Sequence, residues 1–240
     1  QVVVAFRMLP EIVWAMPRFG TFNVHAALLP QYRGAAPINW AVINGETRTG
    51  VTTFFLDHDI DTGRIIMQKE FPIPDNADVE YVYDGLMALG ADICIETVDA
   101  VINTDGNVPS QPQREDLPLK SAPKLFKETC LINWNKEAKQ VYDFVRGLSP
   151  VPGAWCEIVR NDEKPVVMKI FRTAKTDKPL TAKDQPGDIC TEGQHLLIAA
   201  ADKWLEIVEL QLAGKKRMMA KDFLNGYDIK GKRVFMNFEF

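Results

Sequence analysis

Asn23 and His25 stand two residues apart in the stretch NVHAALLPQYRGAAP, and Asp61 follows in Asp57-His58-Asp59-Ile60-Asp61-Thr62-Gly63. An amide, an imidazole and a carboxylate are the groups that acyl or formyl transfer to an amine requires. Asn23 can donate to a developing oxyanion, an interaction worth roughly 3–4 kcal/mol of barrier. His25 can polarise the same oxygen or move a proton. Asp61 can orient the imidazole and take the proton shed by the attacking amine. By residue type alone a plainer reading stays open. In that reading Asn23 caps a turn, His25 is a satisfied core histidine and Asp61 is a turn residue ahead of Gly63.

Three further stretches carry candidate chemistry. Leu28–Pro37 reads either as an apolar anchor with a turn, or as a rigid loop that sends Arg33 toward an anionic or polynucleotide substrate. Arg7-Met8-Leu9-Pro10 reads as a plain strand exit or as one wall of a pocket shared with the 57–63 loop. Residues 215–233 hold seven basic and two acidic side chains, led by Lys215-Lys216-Arg217. Such a run suits a solvated surface or a phosphate-contacting patch. Trp134 and Trp155 read as core residues rather than stacking platforms.

The elements that must position these groups follow from periodicity. Val2–Phe6 is a β-branched run, expected as a strand buried on both faces in a parallel sheet. Residues 10–16 read as a short helix or turn, and 21–24 as a strand. That strand puts Asn23 and His25 at or just past its C-terminal end, where open α/β sheets bind ligands. A short helix over 38–43 closes at Asn44-Gly45. Strands over 51–56 and 64–71 flank the loop that carries Asp61. Residues 79–103 form an amphipathic helix with Val82, Leu86, Ile93 and Val101 on its apolar face. Thr104–Leu119, with three prolines, reads as a linker. Beyond it come a helix over 136–148 and strands over 154–159, 166–172, 196–200 and 204–212. Together these make an all-β unit of barrel size.

Composition narrows the classes. The chain has 240 residues, 46% of them hydrophobic, enough for one large or two smaller globular domains. It lacks the run of about 18 apolar residues that a membrane span needs. The opening residues lack the basic flank of a signal peptide, and the chain reads as beginning inside a strand. Cys94, Cys130, Cys156 and Cys190 are widely spaced and do not combine with the three histidines at zinc spacing. They are expected as free thiols in a reducing compartment. Residues 1–112 carry 6 basic and 14 acidic side chains, and the remainder 22 and 18. Local clustering such as that at 215–233 therefore matters more than the net charge of −4.

The segment NVHAALLPQYRGAAPINWAVINGETRTGVTTFFLDHDIDTGRIIMQ resembles the signature of the folate-dependent formyltransferases. Within that family, INWNKEAKQVYDFVRGLSPVPGAW and GKKRMMAKDFLNGYDIKGKRV resemble the C-terminal domain of the members that act on tRNA. The resemblance implies an α/β fold, with a partial Rossmann-like domain over 1–107, a linker over 108–128 and an OB-like, tRNA-binding barrel over 129–240. It implies formyl transfer from 10-formyltetrahydrofolate, a substrate, to the α-amine of methionyl initiator tRNA in translation initiation. Asn23, His25 and Asp61 would be catalytic. Arg7, Met8, Leu9, Asp57, Asp59 and Ile60 would hold the folate. Arg33, Lys124, Lys127, Lys215, Lys216 and Arg217 would contact tRNA. No metal, membrane or DNA is implied, and the expected place of action is the bacterial cytoplasm or an organellar matrix.

Two departures stand out. Ala27 occupies a position where the family carries Ser. Members also carry a leading half of the Rossmann-like domain, whose loss would expose a sheet edge and an apolar face. The chain is therefore expected to be a fragment, weak or inactive alone. The competing functions are formyl transfer to an amino sugar or ribotide, and non-catalytic tRNA binding.

Overall fold

The structure, a computed structural model, describes residues 1–4, 9–159 and 164–235. The chain forms two compact units, residues 1–41 with 46–125 and residues 42–45 with 126–240. The stretch expected as a linker over 108–128 thus belongs, up to Leu125, to the first unit. It is held there by specific hydrogen bonds that its composition does not reveal.

The first unit is built on a four-stranded sheet in the order β1-β2-β4-β5. These strands are β1 (Val2–Val4), β2 (Phe22–His25), β4 (Arg48–Phe55) and β5 (Ile65–Pro72). Only β1 and β2 run parallel; β2, β4 and β5 pair antiparallel. The expectation of a doubly buried first strand is corrected. Val2 is 39% and Val4 60% exposed, because β1 pairs only with β2 among the described residues. Ala5 and Phe6, the rest of that expected strand, lie outside the described residues. The short helix α1 (Glu11–Trp14) precedes β2, and α2 (Pro37–Ile43) precedes β4.

Helix α3 (Val79–Asn103) has the span its periodicity predicts. Asp78 caps it by accepting from the Tyr81 amide at 3.0 Å. Its face of Val82, Leu86, Ile93 and Val101 is buried, and Thr97 reaches the sheet through a buried 2.9 Å hydroxyl contact to Thr53. Asn23 and His25 lie two apart on β2 and share one face of the sheet, while Val24 between them faces the other way. Opposite Val24 in register is Thr53, so the face that bears Asn23 and His25 is turned away from α3. The small parallel ladder of β3 (Arg33–Gly34) and β6 (Ser121–Ala122) completes the unit.

The second unit is a sheet in the order β13-β7-β8-β11-β10-β9, with β12 added to β11. Its strands are β7 (Ala154–Val159), β8 (Val166–Pro179), β9 (Ile189–Glu192), β10 (His195–Ala199), β11 (Lys203–Leu212), β12 (Met218–Met219) and β13 (Arg233–Val234). The Val234 amide donates to Gly187 O at 2.8 Å, and Asp188 bridges to Arg233. The two ends of the sheet therefore meet, and the barrel is nearly closed. Ile158, Met168, Ile170, Leu196, Ile198, Leu205 and Ile207 fill it with no accessible surface. All four cysteines are free, and burial pushes the Cys156 thiol up to about 12. Helix α5 (Ala220–Gly226) follows β12.

Helix α4 (Ala138–Leu148) packs on β8 and β11. A capping box between Glu137 and Gln140 starts it. Asp143, 4% exposed on this helix, accepts from Arg146 Nε at 2.8 Å and pairs with Lys139. Gly45 must lack a side chain here, since a Cβ would stand 2.7 Å from Asp143 Oδ2 at φ +69°. Replacing Asp143 by Ala leaves a buried guanidinium without this partner. Asp143→Ala is expected to lower the stability of this unit by about 3 kcal/mol, measured by denaturant unfolding.

Candidate active site

His25 is the last residue of β2 and is 6% exposed. Its Nε2 lies 2.9 Å from the Tyr32 carbonyl. A carbonyl only accepts, so Nε2 carries a hydrogen and the tautomer is set by the protein. Nδ1 is then the nitrogen left for chemistry, and it stands 3.8 Å from Asp61 Oδ2. The imidazole packs edge-on against Phe54, with ring centroids 6.4 Å apart. Asn23 Oδ1 is buried and, among the described residues, has no hydrogen-bond partner, a cost that sites built for a ligand tolerate.

Asp61 reaches the histidine through an unusual backbone. Its φ is +57°, a left-handed conformation that Asp adopts more readily than most residues. Its Oδ2 accepts from the Gly34 amide at 2.9 Å. Gly34 can donate only because it lacks a side chain. At its φ of +128° a Cβ would sit 2.4 Å from the Ala122 carbonyl. Gly63, at the end of the same turn, is similarly constrained, since a Cβ there would come within 1.7 Å of Phe55 O.

The loop between β2 and β3 is fastened from below. Thr52 Oγ1 donates to Ala27 O at 2.6 Å and accepts from the Leu29 amide at 3.1 Å. Gln68 Nε2 donates to Leu29 O and to Thr52 Oγ1, both at 2.9 Å. The backbone carbonyl of Ala27 thus makes the contact, and no hydroxyl is needed at that position for it.

The polar segment over 110–123 is a strap across this loop. Gln111 exchanges backbone hydrogen bonds with Ile65 at 2.8 and 2.9 Å. Gln113 Nε2 donates to Asp61 O at 2.7 Å and to Gly63 O at 2.9 Å. Its Oε1 accepts from Arg33 Nε at 3.1 Å and Nη2 at 2.8 Å. The Tyr32 amide donates to Lys120 O at 2.6 Å, and the Trp40 indole donates to Pro123 O at 2.8 Å. Sequence reasoning missed Gln113, Tyr32 and Thr52. Gln113 and Thr52 lie outside every motif and act through contacts far along the chain, while Tyr32 lies inside the Leu28–Pro37 stretch and acts through its backbone carbonyl on His25, seven residues before it.

The remaining residues singled out from the sequence fall in varied places. Arg7 and Met8 lie outside the described residues, while Leu9 is half-buried. Asp57, Asp59 and Ile60 are exposed on the loop that ends at Asp61. Arg33 turns its guanidinium to Gln113 and comes within 3.8 Å of Glu115. Lys124 and Lys127 are exposed, and Lys127 Nζ lies 5.7 Å from the centre of the Trp155 ring. Lys215 and Lys216 are exposed on the turn between β11 and β12. Arg217 grips Glu209 with both arms at 2.8 and 2.9 Å and lies over Phe171 at 4.2 Å. Among the described residues no cluster of three or more His, Cys, Asp or Glu side chains forms a metal site, and no helix is long and apolar enough to cross a membrane.

Comparison with known proteins puts a class to this arrangement. The family model described as "Formyl transferase" matches residues 1–98, and that described as "Formyl transferase, C-terminal domain" matches residues 124–228. HypX from Aquifex aeolicus, solved with tetrahydrofolic acid, superposes with a TM-score of 0.64 at 21% identity, covering 96% of this chain and 39% of that one. WlaRD, a sugar 3N-formyl transferase, gives 0.57 at 22%, covering 81% and 66%. At such identities these two speak to the fold alone. Fold and family models together define a formyltransferase.

Relatives narrow the class. Methionyl-tRNA formyltransferase of Phocaeicola vulgatus is 57% identical over 95% of this chain and 70% of its own length. Its counterpart in Bacteroides fragilis is 55% identical over 95% and 71%. The chain belongs to the methionyl-tRNA formyltransferase family, and it is a transferase.

One contact near the site has a pH signature. Burial raises the Glu46 carboxyl, but hydrogen bonds from Lys120 and Tyr32 outweigh it and leave Glu46 below its ordinary 4.5. The stabilisation this gives the strap is complete above that value and is lost as the pH falls below it. The stability difference between wild type and Glu46→Gln is therefore expected at pH 7 and should shrink below about pH 4.5 in paired thermal melts.

Proposed function

We propose that the chain transfers the formyl group of 10-formyltetrahydrofolate to the α-amine of methionyl initiator tRNA, the step that readies the tRNA for bacterial translation initiation in the cytoplasm. The observation that carries this reading is the approach of His25 Nδ1 to Asp61 Oδ2 across 3.8 Å, in a chain whose relatives are named for that substrate.

The chemistry follows from the donors available. The methionyl nitrogen attacks the formyl carbon, and the carbonyl electron pair moves to oxygen. The Asn23 amide and a protonated His25 Nδ1 donate to that oxygen. Asn23 Oδ1, without a partner among the described residues, suits an N–H of the incoming amine. Asp61, through water, takes the proton that the amine sheds. Collapse re-forms the carbonyl and breaks the bond to N10, which leaves with the proton that Asp61 took from the amine and returns through water. With Nε2–H committed to Tyr32, the imidazole keeps one orientation throughout and its reorganisation cost falls.

In this reading the pterin rests against Leu9 and the Asp57–Ile60 stretch, where Ile60 supplies an exposed apolar side chain. Arg7 and Met8 are assigned to the same wall by sequence alone. Lys124, Lys127, Lys215 and Lys216 meet tRNA phosphates. Arg217 stiffens their turn through Glu209, and Arg33 shapes the acceptor's wall.

His25→Ala is expected to abolish formylation of methionyl-tRNA while tRNA affinity stays within about twofold of wild type. Persisting activity in a radiolabelled-formyl assay, or faster transfer to an amino sugar, would sink the assignment. Replacing Lys215 and Lys216 together by Ala should weaken tRNA binding and reduce the slope of log K against log salt by about 0.7–0.9 per lost phosphate contact. An unchanged slope in filter binding would remove the barrel turn from the interface.

A further inference from the structure

We infer that Gln113 is a positioning residue for the reaction: its side-chain amide locks the turn that aims the Asp61 carboxylate at His25. The inference rests on the catalytic reading of Asp61 given above.

The geometry forms a closed circuit. Gln113 Nε2 holds the carbonyls of Asp61 and Gly63, the two ends of the turn. Gln113 Oε1 holds the guanidinium of Arg33. The next residue, Gly34, sends its amide to Asp61 Oδ2 at 2.9 Å. One amide thus fixes both the backbone that bears the carboxylate and the neighbour of the group that grips it. The left-handed Asp61 has few intrinsic reasons to keep φ +57°, so its aim depends on outside contacts of this kind.

The residue type is constrained as tightly as the position. Two donors and both acceptor lone pairs of the amide are engaged, which is its full useful capacity at this site. Flipping the amide would set its oxygen against two carbonyl oxygens and its NH₂ against a guanidinium. A carboxylate here would keep Arg33 and lose both turn carbonyls; a cation would do the reverse. An amide on a side chain of this length satisfies both partners.

Burial separates this role from simple docking of the strap. Within 111–121 every residue but Gln113 is exposed. The strap has other anchors: the backbone pair of Gln111 with Ile65, the β3–β6 ladder, and the contacts of Lys120 with Gln31 and Glu46. Removing the Gln113 side chain therefore leaves the strap attached and frees the turn.

The test is steady-state and single-turnover formylation of methionyl-tRNA by the full-length protein that carries this sequence and by its variants, with thermal melts alongside. Gln113→Leu is expected to lower kcat by about 10- to 100-fold, the size of effect that misplacing a reacting group produces, with KM for both substrates within about twofold. Gln113→Glu should lose as much as Gln113→Leu, because it keeps Arg33 yet has no donor for the turn. In an Asp61→Asn background, Gln113→Leu should cost little more, since both changes act through one carboxylate. Wild-type kcat in Gln113→Leu, recovery in Gln113→Glu, a change confined to KM, or full additivity with Asp61→Asn would each overturn the inference. Asp61→Asn retaining wild-type kcat would instead overturn the catalytic reading itself, and that single variant distinguishes the two failures.

Discussion

The Gly34 amide donates to the Asp61 carboxylate from 27 residues away, and the rest of the site is arranged so that this bond can form. Gly34 must take a φ that side chains avoid and must lie against the Ala122 carbonyl. Asp61 must turn left-handed. Tyr32, just before this stretch, must present its carbonyl to His25. The 25–34 stretch, the Asp61 turn and Ala122 are three parts of the chain pinned together around one carboxylate. Such rigidity is what electrostatic catalysis asks for, because groups already oriented need not reorganise as charge develops. It also explains why the loop between β2 and β3 is so heavily tied by Thr52 and Gln68 on its underside. A loop that moved would carry Gly34 away from its acceptor.

Much of the fold could be read from local pattern. Helix α3 runs 25 residues with a consistent apolar face, and β7 alternates strictly between buried and half-buried positions. Long, regular elements declare themselves because many side chains repeat one signal. The elements missed from sequence were, among the described residues, β3, β6, β12 and β13 at two residues each, the four-residue β9, the three-residue 3-10 helix Glu128–Cys130, and helix α5. These strands are too short for a period to appear. Strand β8 runs on to Pro179 rather than ending near Arg172. Its later half is Thr-Ala-Lys-Thr-Asp-Lys, polar residues that pair with β11 without burying a continuous apolar face. Strand β2 ends one residue later than expected, which makes His25 its last residue rather than the first of a loop.

The candidate site was legible in part for the same reason. Asn23 and His25 are two apart, and a strand puts such residues on one face whatever its neighbours do. Asp61 required a pairing of distant segments, and residue spacing alone left a bland alternative standing. Gln113 could not be found this way at all. It sits in a proline-rich, polar stretch whose composition is that of a free linker. What converts that stretch into a strap is a handful of backbone and amide contacts, which have no signature in hydropathy. Arg217 carries the same lesson in the barrel: a basic run counts it with Lys215 and Lys216, yet its guanidinium is engaged by Glu209.

The strap has a consequence for when the site comes into being. Its partners lie far earlier in the chain: Gln113 meets Arg33 across 80 residues and Lys120 meets Gln31 across 89. Contacts this remote in sequence form late, because a large loop must close before they return any energy. During synthesis the histidine and carboxylate emerge well before the segment that completes their surroundings. The ribosome must deliver the chain through Ala122 before Asp61 has its full set of neighbours, so a nascent polypeptide halted inside α3 would hold every residue of the trio and still lack the built site.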